Sequence, residues 1–371
     1  MTTAWTASSV RRIDPAAVSR VPPIEPRAHG GLDRARVYWD IWPVQAQDGS
    51  VARIAGRELW MALTAPDRGD PALRHFEATI RLLERRGGGW HDLGDVLPRR
   101  PVDYEREWAG SAVHDGDGIT LYYTAAGTAE RAGGYQQRLV ESHALVGGDG
   151  LPEGWTAPQV SLVPDERFYM PAATHDGAPG EIEAFRDPAY FCDPADGAEY
   201  LIFTASRADP DTAFNGVVGA ARREGGQWHP LPPIVQADGV NNELERAHAV
   251  FHVGRYYVFW VTQRETFAPG LRDAPTGLYG MVSNSLLGEY RPLNGTGLVL
   301  ANPPDDPRLA YSWFVSRELV VSSFVDFRGL GVRGVPGDPA EARRFFGGVP
   351  APLLQLAIDG DTCRLAGEAT E

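Results

Sequence analysis

A weak repeat limits the fold more than any other feature of the sequence. Glu107–His114 (EWAGSAVH) runs into the turn Asp115–Gly118 and then an aromatic strand, LYY. Arg186–Cys192 (RDPAYFC) runs into Asp193–Gly197 and then LIF, and Glu245–His252 (ERAHAVFH) runs into Val253–Gly254 and then YYVF. Each unit reads charged head, apolar strand, tight glycine turn, aromatic strand. Two further heads lie in Tyr38–Pro43 (YWDIWP) and Tyr311–Trp313 (YSW). The heads at Asp40, Trp108, Asp187, Glu245 and Tyr311 follow one another at 68, 79, 58 and 66 residues. Steps of this size are too long for ankyrin-type units and fit one four-stranded blade with its loops. Hairpins recur in any β protein, but five such steps nearly fill 371 residues.

The expectation is therefore an all-β chain, a five-bladed β-propeller with a central funnel-shaped site. Residues 1–30, with Pro15, Pro22, Pro23 and Pro26 and little periodicity, read as an irregular surface arm, and 31–371 as one propeller domain. Strands are expected at Glu58–Thr64, Ile119–Thr124, Tyr200–Thr204, Tyr256–Thr262 and Leu319–Phe324, all aromatic and β-branched. Ala72–Arg86 alternates and reads as strand; Pro339–Phe346 reads as a helical turn. In a propeller the starts of the innermost strands converge on one axis, so equivalent heads share a pocket although they are far apart in sequence.

Charge narrows the chemistry. The chain has no lysine: its 35 cations are all arginine, against 49 acidic residues and a net charge of −14. That excludes a lysine Schiff base and a Walker-type phosphate loop. An acidic chain without a basic run suits neither nucleic acid nor an anionic membrane, and a neutral or cationic ligand fits better. Two distant cysteines, Cys192 and Cys363, make neither a disulfide framework nor a zinc site. Buried free thiols are the simplest reading, one bridge the alternative. No apolar run approaches a membrane span. The first residues lack the apolar core of a signal peptide, so the cytoplasm is the expected compartment, with leaderless export the alternative.

Carboxylates mark the heads. Asp40 sits inside an aromatic strand, where a charge is expensive unless paired or used; the plainer reading is a turn accepting backbone hydrogen bonds. Asp187 begins an Asp-Pro pair, a common turn start, and differs from other Asp-Pro pairs only by heading a repeat. Glu243 and Glu245 stand at i and i+2 on one strand face, where each raises the other's pKa, with Arg246 able to hold them; a solvated helix turn is the alternative. Together the three segments fit a glycosidase site: one carboxylate attacks the anomeric carbon, one acid protonates the leaving oxygen, and a further carboxylate stabilises the cationic sugar. Trp39 and Trp108 would supply apolar walls.

Trp39–Val44, Glu107–Ala112, Phe185–Pro188, Asn242–Arg246 and the long stretch Met281–Leu300 resemble, in order, the levansucrase, inulosucrase and bacterial β-fructofuranosidase family, glycoside hydrolase family 68. The resemblance implies a five-bladed propeller and a retaining, two-step mechanism on sucrose, with fructosyl passed to water or sugar acceptors. It implies Asp40 as nucleophile, Glu245 as general acid and then base, and Asp187 as stabiliser of the transition state. Trp39 and Trp108 would line the fructosyl pocket. Arg186, Glu243, Arg264 and Tyr311 would lie toward the glucosyl side, and Arg246 would orient the acid. Polymer formation, or another furanoside as substrate, is the alternative reading; hydrolysis and short transfer products are expected. Two departures stand out. Ala109 occupies the position of a serine that normally helps hold the nucleophile. Asn242 stands where Gram-positive members have an Asp of a calcium site, to which Glu181 would be another candidate ligand. No cofactor is therefore expected, and Asn242 argues against calcium.

Overall fold

A computed structural model describes residues 2–25, 30–98, 102–128, 130, 133–173 and 179–369. It is a five-bladed propeller. The innermost strands are Arg36–Ala46, Arg106–His114, Phe185–Cys192, Glu245–His252 and Ala310–Val315, one per blade, and each carries one of the five heads. Each pairs antiparallel with a second strand: Arg57–Pro66, Gly118–Ala126, Glu199–Ser206, Arg255–Thr262 and Val320–Phe327. These are the segments where aromatic and β-branched runs predict strand. They are buried on both faces, which is why they read as continuous apolar runs.

The blades meet in different ways. Blades 1 and 2 are stitched by backbone, with Val44–Ala46 parallel to Ala112–His114. Among the described residues, blades 5 and 1 exchange no strand. Their seam is closed by an apolar cluster containing Trp39, Phe314, Phe324 and Phe346, by the Ser322 hydroxyl donating to the Ile41 carbonyl at 3.0 Å, and by Arg343 donating to both Asp67 oxygens.

Two expectations need correction. The N-terminal arm is not simply irregular. Thr3–Ala4 adds a parallel strand to the outer edge of blade 3, and Ala7–Arg11 is a short helix capped by Thr6. Trp5 is only 1% exposed and packs edge-on against Trp260 of blade 4, so the arm covers a seam. The segment Ala72–Arg86 is strand only from Thr79. Before it, Pro71–Phe76 is a 3-10 helix, because Asp70 caps the Ala72 N–H at 2.9 Å and Pro71 presets the first turn. The expected helical turn is found at Pro339–Phe345, capped in the same way by Asp338. Cys192 and Cys363 are free thiols, the first half-buried and the second buried.

All five inner strands carry a β-bulge at the head, where register slips at Trp39/Ile41, Trp108/Gly110, Arg186/Ala189, Glu245/His248 and Tyr311/Phe314. Asp40, Asp187, Arg246 and Ser312 take positive φ there, at 38°, 58°, 54° and 58°. A bulge breaks the strict alternation of a strand and re-aims a side chain. In blades 1, 2 and 3 it lets two consecutive residues face the axis: Trp39 with Asp40, Trp108 with Ala109, and Arg186 with Asp187.

Candidate active site

The heads line one pocket of about 550 Å3 at the end of the axis. Asp40, Asp187 and Glu245, which belong to three different blades, all face into it.

Asp187 is 5% exposed. Its Oδ2 accepts from the Thr204 hydroxyl at 3.3 Å and from the Arg246 backbone N–H at 3.4 Å, and lies 3.8 Å from Arg186 Nε. Burial pushes its carboxyl above the usual range, and the Arg186 and Arg246 charges oppose this. Glu245 accepts a hydrogen bond from the Tyr311 hydroxyl, and its Oε1 lies 3.9 Å from Arg186. Burial pushes this carboxyl up to about 7. Arg186 opposes the rise, the Asp187 and Asp40 charges add to it, and the Tyr311 hydrogen bond opposes it. A carboxyl near 7 holds a proton at neutral pH and can still release it, as a general acid that later acts as base requires. Asp40 accepts no hydrogen bond from any described residue, so its oxygens are open toward the pocket.

Arg186 ties one wall together. It forms an ion pair with Glu243, which is itself 4% exposed, and reaches Glu245 and Asp187 as well. Glu243 is placed by its own backbone N–H donating to Asn241 Oδ1 at 2.8 Å; that oxygen also accepts from the Thr262 and Thr266 hydroxyls. Trp39 and Trp108 form the apolar side. Trp108 Nε1 donates to the His75 carbonyl at 3.4 Å, and Trp39 meets the His75 ring edge-on.

Two predicted arginines do not reach the pocket. The bulge turns Arg246 to the far side of its strand, where its guanidinium lies over Trp42 and Phe314 and donates to the Gly110 carbonyl at 3.3 Å. It touches neither Glu243 nor Glu245, and acts on the site through its backbone N–H and its charge on Asp187. Arg264 points outward at the rim, bonded to the Arg272 carbonyl and near Asp273; Gln263 and Glu265, on either side of it, face the pocket instead. Two other arginines replace them. Arg74, on the 3-10 helix Pro71–Phe76, and Arg308, paired with Glu265, both line the pocket, as does Asp326 at the end of the second strand of blade 5. Asp70-Pro71 was the legible signal for Arg74, since that pair starts a helical turn. Asp326 closes the apolar run VVSSFVD as a lone carboxylate.

Asn242 tests the calcium expectation. Its Oδ1 accepts from the Gly180 and Ile182 N–H groups at 2.7 and 3.1 Å. Its Nδ2 donates to the carbonyls of Ala213 and Ile182 and to Asn215 Oδ1 at 2.9, 3.3 and 3.3 Å. Three oxygens converge on an amide nitrogen, so the space a cation would take is filled by a donor, and these residues do not fit calcium.

Paired carboxylates in a funnel with aromatic walls define a glycoside-cleaving enzyme. The model of the levansucrase/invertase family matches residues 1–215 and 206–365, and the chain belongs to this family, glycoside hydrolase family 68. It is 30% identical to a levansucrase of Pseudomonas syringae pv. actinidiae, across 97% of this chain and 89% of that one. Among solved structures it is similar to an inulosucrase of Halalkalicoccus jeotgali bound to kestose, with 37% identity, TM-score 0.91, and 100% and 97% of the two chains covered. It is also similar to a β-fructofuranosidase of Microbacterium saccharophilum, with 25% identity, TM-score 0.82, and 98% and 83% covered. The chain is thus a glycoside hydrolase or fructosyltransferase by family.

Proposed function

We propose that this enzyme cleaves sucrose with retention and passes the fructosyl unit to water and to sugar acceptors. The observation that carries the reading is the contrast between an open Asp40 and a Glu245 held near 7 under the Tyr311 hydroxyl, in one pocket. Asp40 attacks the anomeric carbon as Glu245 protonates the leaving oxygen, giving a fructosyl ester and free glucose. Glu245, now ionised, takes a proton from water or an acceptor hydroxyl, which displaces Asp40. Asp187, buried with its charge opposite Arg186 and Arg246, stabilises the cationic ring. Arg186 and Glu243 bind hydroxyls of the leaving sugar.

Short products are favoured by trimmed loops: the alignment with the Pseudomonas levansucrase needs 406 positions for a chain of 371 residues. The levansucrase names of the relatives favour polymer instead. Glucose release from sucrose, with products separated by size, decides. Glucose with fructose and short oligosaccharides is expected; high-mass fructan as the main product refutes the preference, and no glucose release refutes the substrate. The arrangement needs no metal, so a chelator should leave the rate unchanged.

A further inference from the structure

We propose that Arg74 and Asp326 bind one hydroxyl of the fructosyl ring between them, as a two-sided clamp at the seam of blades 5 and 1. This deepens the sucrose reading above and rests on it.

Both side chains line the pocket, and both are incomplete. Asp326 Oδ1 is buried with no hydrogen-bond partner, and so is Arg74 Nε. The Arg74 guanidinium makes one hydrogen bond, back to the Pro71 carbonyl at 2.6 Å. Asp326 and Arg74 are the first charges each feels, yet they form no ion pair with one another. Opposite charges that face one cavity without touching leave a gap that wants a particular chemistry. An anion would complete only the arginine and a cation only the aspartate. A hydroxyl completes both, accepting from the guanidinium N–H and donating to the carboxylate oxygen.

The gap is also rigid. Arg74 is stacked 5.7 Å over the Trp39 ring and 4.8 Å over Phe346, on a helical turn capped by Asp70. Asp326 is pinned by its backbone N–H to the Leu309 carbonyl at 3.0 Å. Groups held apart in this way cannot collapse onto each other when the pocket is empty, which preserves them for a ligand.

Position selects the ring. Trp39, under Arg74, is the chain neighbour of Asp40, and the Asp40 charge acts on both members of the gap. In the reading above the leaving sugar is bound by Arg186 and Glu243, whose ion pair lies at the seam of blades 3 and 4, away from this gap. The clamp therefore holds the ring that Asp40 attacks.

The test measures glucose release from sucrose by wild type, Asp326→Asn, Arg74→Gln and the double variant, with thermal melts to confirm folding. Each single variant should lose about tenfold to a hundredfold in kcat/KM, because one partner of a buried polar contact is left alone. The double variant should fall no more than about threefold below the weaker single one, since both groups serve one hydroxyl. Sucrose deoxygenated at each fructosyl hydroxyl in turn should include one analogue that costs wild type a comparable factor and costs Asp326→Asn nothing further. If Asp326→Asn fails to fold, the same analogue comparison is made with Arg74→Gln, on its surface turn. Single variants within about threefold of wild type, or losses that multiply in the double variant, overturn the clamp while leaving the sucrose reading intact. A wild type that releases no glucose overturns the sucrose reading and the clamp with it.

Discussion

On the wall built by blades 3 and 4, Arg186 contacts Glu243, Asp187 and Glu245, and Tyr311 reaches across from blade 5 to Glu245. On the wall at the seam of blades 5 and 1, Asp40, Arg74 and Asp326 face the same cavity with no ion pair or hydrogen bond among them. The first wall is complete before any ligand arrives, so it fixes a proton donor in place and sets its pKa. The second is completed by the ligand, so its polar groups gain their partners only on binding or reaction.

The largest effects should come from removing one reacting group from each wall. Asp40→Ala should lose at least about 10^4-fold in kcat on sucrose, because no neighbour can form the ester in its place; near-normal glucose release would remove Asp40 from its role. Glu245→Gln should lose a similar factor on sucrose but recover on fructosyl fluoride, whose leaving group needs no proton. Equal losses on both donors would show that Glu245 is not the acid.

Tyr311→Phe sharpens the contrast by loosening the complete wall. Glu245 must be protonated to act as acid, so kcat/KM should fall as pH rises through about 7. The Tyr311 hydrogen bond stabilises the ionised form and lowers that value. Its loss should therefore move the alkaline limb upward, by up to about one pH unit, with about a tenfold drop in kcat/KM at pH 6. A limb that stays in place or moves down breaks the assignment.

Behind the same wall, Asn242→Asp would replace a donor by a charge facing three oxygens. The melting temperature should fall by several degrees, an effect of about 3 kcal/mol, and calcium should restore it. Wild type should melt at the same temperature with and without chelator; a chelator-sensitive wild type would contradict the amide-for-cation reading. The smallest change is expected from Ala109→Ser. Ala109 lines the pocket and is 1% exposed, and a hydroxyl there would give the open Asp40 a neighbour. A twofold to fivefold change in kcat, about 0.5–1 kcal/mol, is the expected scale of one added hydrogen bond. An unchanged kcat would mean that the hydroxyl does not reach Asp40.

The blades were legible because their second strands are apolar and aromatic on both faces, and because the heads recur at blade-sized steps. The three carboxylates were legible because each heads an inner strand. Arginine direction was not. Arg246 and Arg264 sit in the right segments, but a bulge turns one beneath the floor and a 3-10 turn points the other to solvent. Arg74 was passed over because Ala72–Arg86 alternates like a strand, whereas an aspartate cap and a proline wind its first residues into a helical turn. Local caps and bulges set side-chain direction, and neither shows in residue periodicity.

The seam between the first and last blades, which no strand pairing bridges among the described residues, has a kinetic meaning. Ser322 and Ile41, which meet across it, are 281 residues apart, and Arg343 and Asp67 are 276 apart. Contacts of such separation are late events in folding, because a long loop must close before they form. The reacting carboxylates belong to blades 1, 3 and 4, but Tyr311, which bonds Glu245, and Asp326 come from blade 5, so a ring of four blades lacks part of the pocket. After dilution from denaturant, strand content should return first and glucose release last, which makes catalysis a clock for the moment the circle closes.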